Sequence, residues 1–203
     1  MLSLPFALLD RWLSPPPAPR KVGWLGEYHY APRGLHDGGV PENSSSAFAK
    51  AALSGYGIEL DVQRANDGTP VVFHDATLDR MTAETGPLSR RNAAQLGAIT
   101  LAGSAQTIPT LRQVLQEVAG RVPVLIEIKS DRHARISALC LAVRRMLEGY
   151  TGPHAVMSFD PRVSRWFRRH APQTVQGLVM REDEKGQTQK GWQRRLVVRA
   201  ARQ

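Results

Sequence analysis

Short apolar runs alternate with helical patterns along most of this 203-residue chain, and this alternation constrains the fold more than any other feature. Six of the runs have the length and the composition of strands. They are Glu27 to Ala31, Ile58 to Val62, Pro70 to Phe73, Val124 to Ile128, His154 to Ser158 and Val175 to Leu178. Helical spacing predicts helices over residues 44–54, 110–119, 133–148 and 161–170. Alternation of this kind is typical of an α/β protein in which βα units surround a parallel sheet.

The six strands are predicted to follow one another in chain order, whereas a closed barrel of βα units needs eight strands. The chain turns polar and basic after Met180, where only Leu196 to Val198 hints at a seventh strand. We therefore expect a barrel-like α/β fold that is incomplete at its C-terminus. Residues 1–20 are predicted to form an amphipathic segment with a proline-rich boundary, and residues 21–203 the barrel domain, with a basic tail from about residue 181.

The net charge of +9 is unevenly distributed. Residues 1–130 hold 12 Lys and Arg against 12 Asp and Glu, whereas residues 131–203 hold 15 against 6. Arginine clusters pair with phosphates, so an anionic membrane surface is a candidate partner for the last third of the chain. Solvated helix faces are the favoured interpretation, and nucleic acid is disfavoured because the aromatic residues near these arginines follow no known nucleic-acid-binding pattern.

Two further features concern the cellular setting. No apolar run approaches the roughly 18 residues that a membrane-spanning helix needs, so we expect a cytoplasmic protein. The single cysteine, Cys140, cannot form an internal disulfide and lies in an apolar run, which predicts a small buried side chain.

Paired charges on two predicted strands are the strongest indication of a functional site. Glu59 and Asp61 stand two residues apart and therefore point to the same face of their strand. Glu127 and Lys129 repeat this spacing on another strand, where the lysine could neutralise a phosphate oxygen. An internal salt bridge explains either pair alone, but both pairs together favour a site for a hard divalent cation such as Mg²⁺ or Ca²⁺.

Three other residues lie where a phosphate site could use them. His74 follows the apolar run Val71 to Phe73, at the position of a general acid or base. Arg33 precedes Gly34 just after the first strand and offers a bidentate phosphate clamp. Glu42, in the following loop, adds a carboxylate that could bind substrate or serve as a further metal ligand.

The order of these motifs resembles the glycerophosphodiester phosphodiesterase family over roughly residues 28–180. The matching motifs are Arg33-Gly34, Pro41-Glu42-Asn43, Ala47-Phe48, Glu59-x-Asp61, Asp67-Gly68, Val71 to Asp75, Leu78-x-Arg80 and Glu127-x-Lys129. The resemblance implies a TIM barrel and a divalent metal held by Glu59, Asp61 and Glu127. It also implies hydrolysis of a glycerophosphodiester substrate to glycerol 3-phosphate and an alcohol.

The resemblance breaks at one catalytic position. The family's two catalytic histidines fall at Pro32 and His74 in this sequence, and proline cannot transfer a proton. Loss of one general acid or base typically slows a reaction by about 10²–10⁴-fold, so the enzyme could be slow rather than inactive. His36, in the following loop, is the candidate substitute, whereas His29 would face the opposite side of the strand.

The resemblance also implies two further strands beyond Gln203. A fragment, a frameshifted tail or a partner that completes the barrel would each account for the early end. The sequence therefore predicts a metal-dependent phosphodiesterase whose catalysis is impaired. The alternative is a catalytically silent barrel that retains its metal and phosphate sites.

Overall fold

A computed structural model of the chain describes residues 18–130 and 135–180. The helices are α1 (Pro19–Val22), α2 (Ser45–Leu53), α3 (Ala93–Gly97), α4 (Leu111–Val118), α5 (Ile136–Leu147) and α6 (Pro161–His170). The strands are β1 (Tyr30–Pro32), β2 (Gly57–Arg64), β3 (Pro70–Val72), β4 (Val124–Ile128), β5 (His154–Ser158) and β6 (Val175–Leu178). Two short 3₁₀ helices span Gly23–Gly26 and Leu88–Arg90.

The six strands form one sheet, in which β1, β2, β4, β5 and β6 are neighbours in that order and pair in parallel. Helices α2, α5 and α6 each connect two consecutive parallel strands, as in a TIM barrel. Among the described residues, β1 and β6 pair on one side only, so the sheet is open. The prediction of an incomplete βα barrel with a sheet of about six strands is confirmed, and five of the six strands lie on the parallel path.

The predicted strand order is wrong at Pro70 to Phe73. This segment forms β3, which pairs antiparallel with β2 and leaves β2 beside β4. Only residues 65–69 connect β2 to β3, and a parallel crossover needs a dozen or more residues. Ala65 N donates to Thr69 O across this turn, where Gly68 has a positive φ of 88°. The segment therefore extends β2 into a hairpin and is not a barrel strand.

The main core lies between the sheet and its helices. Ile58, Leu60 and Val62 alternate along β2 and are fully buried on the helix-facing side. Phe48 of α2 and Phe167 of α6 pack in the same cluster. Because these strand residues face the helices, the residues between them in β2 face the opposite side of the sheet.

Residues 76–109 form a second core cluster that the sequence reasoning missed. Leu78, Leu88, Leu96 and Ile108 are fully buried there and pack against Val71 of β3. The segment contains little regular structure besides α3 and the 3₁₀ helix, so apolar periodicity gives a weak signal. It forms a compact excursion between β3 and α4.

Side-chain caps fix where the predicted helices begin. Ser44 Oγ accepts from Ala47 N at the start of α2, and Thr110 and Gln113 form a capping box on α4. The first strand is shorter than predicted, since Glu27 ends a 3₁₀ helix and pairing begins at Tyr30. Cys140 is buried in α5, as expected, and burial raises the pKa of its thiol to about 12.

Several sequence predictions fall outside the described residues. They are the amphipathic opening over residues 1–17, the basic tail from about 181 and the seventh strand at Leu196 to Val198. The domain boundaries at residues 20 and 181 therefore stay predictions. In the part of the chain that the structure describes, no helix has both the length and the apolar character needed to cross a membrane.

Candidate active site

Three carboxylates converge on the face of the sheet that is turned away from the helices. Asp61 pairs in register with Glu127 on the neighbouring strand, and Glu59 stands two residues before Asp61. Each of the three offers an oxygen, and these oxygens lie within 4.8 Å of one another. Asp61 is 1% exposed and Glu127 is 7% exposed. The carboxylates of the two predicted strands therefore lie together in one acidic cluster in the structure.

Two cations lie against this cluster. Lys129 Nζ is 2.8 Å from Asp61 Oδ1 and 2.6 Å from Glu127 Oε1. Arg33 Nε lies 3.5 Å from Asp61 Oδ2, and Arg33 N donates to Glu59 Oε2 at 3.1 Å. Burial lowers the pKa of Lys129, but the adjacent carboxylates of Asp61 and Glu127 outweigh burial and raise it. The lysine is therefore charged throughout the physiological range.

Burial and the neighbouring carboxylates raise the pKa of Glu59. Burial raises the pKa of Glu59 to about 7, and the nearby charge of Asp61 adds to this shift. The hydrogen bond from Arg33 N opposes the shift without cancelling it. A cation placed among the three carboxylates would relieve both causes.

The donor set fits a divalent cation. Glu127 Oε1 is buried, and its contact with Lys129 lacks hydrogen-bond geometry, so this oxygen has no hydrogen-bond partner. The wider cluster of charged side chains holds five carboxylates and three cations, a formal charge of −2. Its members are Glu42, Glu59, Asp61, Asp75, Glu127, Arg33, Arg80 and Lys129. Buried oxygen ligands with excess negative charge are what Mg²⁺ and Ca²⁺ prefer.

A tight turn after β1 positions Arg33. Arg33 and Gly34 have positive φ values of 58° and 82°, and Gly34 N donates to Ala31 O. A Cβ on Gly34 would lie 2.7 Å from Ala47 Cβ and 2.8 Å from Ala47 C. Gly34 therefore allows the backbone after β1 to pack closely against helix α2.

Gly34→Ala is expected to lower the free energy of unfolding by about 3 kcal/mol, because it adds a backbone clash to a strained φ. Gly39→Ala is the matched control, since Gly39 has a φ of 94° and open space around it. That variant is expected to lose only about 1 kcal/mol. Urea unfolding of both variants measures the difference, and equal losses would contradict the packing role of Gly34.

A second set of ion pairs extends from Arg33 to His74. Glu42 accepts from Arg33 Nη1 at 3.1 Å and from Arg80 Nη2 at 2.6 Å. Arg80 also donates from Nε to Asp75 Oδ2 at 2.5 Å. Glu42 therefore orients two arginines and stands apart from the three-carboxylate group. Its predicted part in binding substrate or metal stays a prediction.

His74 is held at the end of the β2–β3 hairpin. Its Nδ1 lies 2.6 Å from Asp75 Oδ1, and hydrogen bonds from Arg80 and His74 lower the pKa of Asp75 to about 2. Phe73 N donates to Asp61 O at 3.0 Å, which ties the residue before His74 to β2, the strand that carries Glu59 and Asp61. With Nδ1 directed at a carboxylate, Nε2 is the ring nitrogen available for proton transfer.

Pro32 occupies the position where the resemblance places a second histidine. It pairs in register with Glu59, so both residues lie on the same face of neighbouring strands, and Pro32 is exposed. Pro32 and His36 line one cavity of about 300 Å³ together with Leu35, Asp37 and Lys50. His29 precedes β1 and its side chain is exposed. The position beside Glu59 therefore carries no side chain that can transfer a proton.

Sequence reasoning gave no role to three residues that complete the site. Asn43 Nδ2 donates to Asp61 Oδ2 at 2.9 Å, and Asn43 Oδ1 accepts from Asp61 N at 3.3 Å. Arg80 joins Glu42 to Asp75, which in turn holds His74. All three lie in the motifs that carry the family resemblance. Those motifs were the sequence signal that could have identified them as site residues.

Comparison with known proteins supports one family. Residues 33–202 match the model of the glycerophosphoryl diester phosphodiesterase family. Human glycerophosphodiester phosphodiesterase 1 is 30% identical over 158 residues, which cover 73% of this chain and 47% of that protein. The Caldanaerobacter subterraneus glycerophosphodiester phosphodiesterase is 40% identical over 99 residues, which cover 45% of this chain and 41% of that protein. The chain thus spans about half the length of these curated relatives.

Solved structures agree on the fold. A phosphodiesterase of Oleispira antarctica, solved with the product sn-glycerol 3-phosphate, superposes with a TM-score of 0.71 and 26% identity. That match covers 83% of this chain and 70% of the other. The Agrobacterium tumefaciens glycerophosphodiester phosphodiesterase superposes with a TM-score of 0.63 and 28% identity, covering 73% and 65%. The TIM-barrel prediction is confirmed.

The matched residues contain the carboxylate cluster, its cations and His74, and they are arranged on the fold that these solved relatives share. The chain belongs to the glycerophosphoryl diester phosphodiesterase family.

Proposed function

We propose that this protein hydrolyses glycerophosphodiesters to glycerol 3-phosphate and an alcohol in a reaction that depends on Mg²⁺ or Ca²⁺. The observation that supports it most is the convergence of Glu59, Asp61 and Glu127 within 4.8 Å, beside Lys129 and Arg33. The Oleispira relative is described with sn-glycerol 3-phosphate as its product, which points to the same substrate class. A cytoplasmic location stays a prediction.

The cations of the site would hold the phosphate. Lys129 and Arg33 already lie on the acidic cluster, and their positive charge would complement the charge that develops on the phosphoryl oxygens. Glu42 fixes one edge of the Arg33 guanidinium through Nη1. A divalent cation held by Glu59, Asp61 and Glu127 would polarise the phosphate and acidify a bound water or hydroxyl.

Hydrolysis needs two proton transfers. One proton leaves the attacking oxygen as its bond to phosphorus forms, and one reaches the alkoxide as its bond to phosphorus breaks. His74, oriented by Asp75, can serve one of these steps through Nε2. Pro32 leaves the other step to solvent, so we propose slow turnover by the wild-type chain.

A second candidate function follows from the same proline. A chain that binds a divalent cation and a phosphate ester without turning it over would retain the cluster and lose the second acid or base. The two candidate functions differ in one respect. In the second, the protein binds the phosphate ester and no product forms. The anion-binding cations are equally suited to both functions.

His74→Ala tests the proposed activity. Wild-type protein with Mg²⁺ or Ca²⁺ is expected to release glycerol 3-phosphate from glycerophosphocholine, and the variant to release about 10²-fold less. His29→Ala is the matched control, since His29 is exposed and precedes β1, and it is expected to keep wild-type turnover. Turnover that survives His74→Ala would refute the role of His74. Metal and phosphate-ester binding without product would support the silent alternative.

A further inference from the structure

The net positive charge of the described residues lies entirely in the second half of the fold. Residues 18–130 hold eleven Lys and Arg and eleven Asp and Glu. Residues 135–180 hold seven arginines against Glu148 and Asp160. Both acidic residues are paired, Glu148 with Arg144 and Asp160 with Arg162. Arg145 on α5 and Arg168 and Arg169 on α6 are exposed and add positive charge to the surface of these helices.

This charge lies at the end of the barrel opposite to the carboxylate cluster. Helix α6 starts just after β5 and returns to the start of β6, so its last residues lie at the N-terminal edge of the sheet. Arg168, Arg169 and His170 are exposed there. Asp61 and Glu127 lie toward the C-terminal edge, about 15 Å away along the strands. The site and the basic surface therefore face opposite directions.

Helix α1 adds to the same surface. Lys21 Nζ donates to Pro172 O at 2.6 Å, which places α1 against the chain that follows α6. We define the basic end as Arg20, Lys21, Arg168, Arg169 and His170. Basic residues at the end of α6 complement its helix dipole, but this does not account for the charges on α1. Among the described residues, none forms an ion pair with Arg20, Arg168 or Arg169.

Tryptophan side chains accompany these charges. Trp166 stacks on His170 with ring centroids 4.5 Å apart, and it is partly exposed. Trp24 Nε1 donates to Lys21 O and is also partly exposed. Tryptophan next to basic residues is typical of a surface that meets the boundary between lipid headgroups and acyl chains.

The sequence before the described residues has the matching composition. Residues 1–13 include Leu2, Leu4, Phe6, Leu8, Leu9, Trp12 and Leu13. This apolar sequence joins the fold at α1, which belongs to the basic end. Buried apolar area and attraction between basic residues and anionic lipids together set how strongly an amphipathic segment binds a bilayer.

We propose that the basic end docks on an anionic lipid surface and holds the carboxylate cluster facing the aqueous phase. The docking itself is independent of the proposed hydrolysis.

Vesicle co-sedimentation tests the docking with the full chain. Wild-type protein is expected to bind vesicles containing roughly one-third phosphatidylserine, and to bind pure phosphatidylcholine vesicles at least tenfold more weakly. The triple variant Arg20→Gln, Arg168→Gln, Arg169→Gln is expected to lose at least tenfold in affinity for the anionic vesicles. The control variant Arg64→Gln, Arg90→Gln, Arg112→Gln removes the same charge from exposed positions elsewhere and is expected to bind within twofold of wild type.

Each other outcome overturns the proposal. Equal losses in the two triple variants would show a nonspecific effect of net charge. Tighter binding to duplex RNA or DNA than to anionic vesicles would show that the partner is a nucleic acid. Failure of the wild-type protein to bind the anionic vesicles would exclude docking. Thermal melts of both variants verify folding, and glycerol 3-phosphate release in solution tests the hydrolysis separately.

Discussion

Pro32→His is expected to raise the turnover of glycerophosphocholine by about 10²-fold or more, because it supplies the missing acid or base beside Glu59. Pro32 pairs in register with Glu59, so a side chain at this position lies on the face that carries the carboxylates. Position 32 is exposed, and an imidazole can be accommodated there without displacing the core. Steady-state release of glycerol 3-phosphate measures the gain.

Two further variants separate proton transfer from other effects of removing proline. Pro32→Ala relieves the same backbone restraint without adding an acid or base, so its turnover is expected to stay at the wild-type level. In the double variant with His74→Ala, the gain is expected to disappear, since one imidazole is again missing. An equal gain in Pro32→Ala would show that the proline restrains the loop and that the missing histidine is not the cause.

Glu59→Gln is expected to have opposite effects on stability with and without metal. In the metal-free protein, the pKa of Glu59 is raised from 4.5 to about 7 by burial and by Asp61. The folded state therefore binds more protons than the unfolded state between these values, and stability falls as the pH rises through this window. Above pH 7 the metal-free variant is expected to be more stable than wild type by about 2 kcal/mol.

With saturating Mg²⁺ or Ca²⁺, the order is expected to reverse. Cation at one hundred times its dissociation constant stabilises the wild-type fold by about 2.7 kcal/mol, and the variant loses most of this gain with its ligand. Thermal melts at pH 5 and pH 8, with and without metal, measure all four conditions. Glu117→Gln is the matched control, since Glu117 is exposed on α4. A wild-type protein that no divalent cation stabilises would contradict the metal site.

Much of the fold could be predicted because apolar spacing depends on local geometry. Strands such as Val124–Ile128 and helices such as Leu111–Val118 were predicted to within about two residues. The direction of β3 could not be predicted from apolar spacing, which is the same in parallel and antiparallel strands. The length of the preceding connection, residues 65–69, was the available signal.

The candidate site was predictable where two residues share a strand face. The spacing of Glu59 and Asp61 places them together in any strand, and the same spacing of Glu127 and Lys129 marked the second strand. The resemblance then placed Glu127 with Glu59 and Asp61 as a metal ligand. Contacts between distant segments were harder, because Asn43 reaches Asp61 only through the turn after β1. Arg80 likewise reaches Glu42 from a different loop. Roles of this kind follow from tertiary structure and are not fixed by local spacing.

The identity of the product tests the central proposal most directly. Phosphorus NMR of glycerophosphocholine incubated with the Pro32→His variant and Mg²⁺ or Ca²⁺ is expected to show glycerol 3-phosphate as the single new phosphate species. Wild-type protein is expected to give the same product more slowly, and Glu59→Gln to give little of it. Phosphocholine as the product, or no product from Pro32→His with either metal, would contradict a glycerophosphodiester phosphodiesterase site built on Glu59, Asp61 and Glu127.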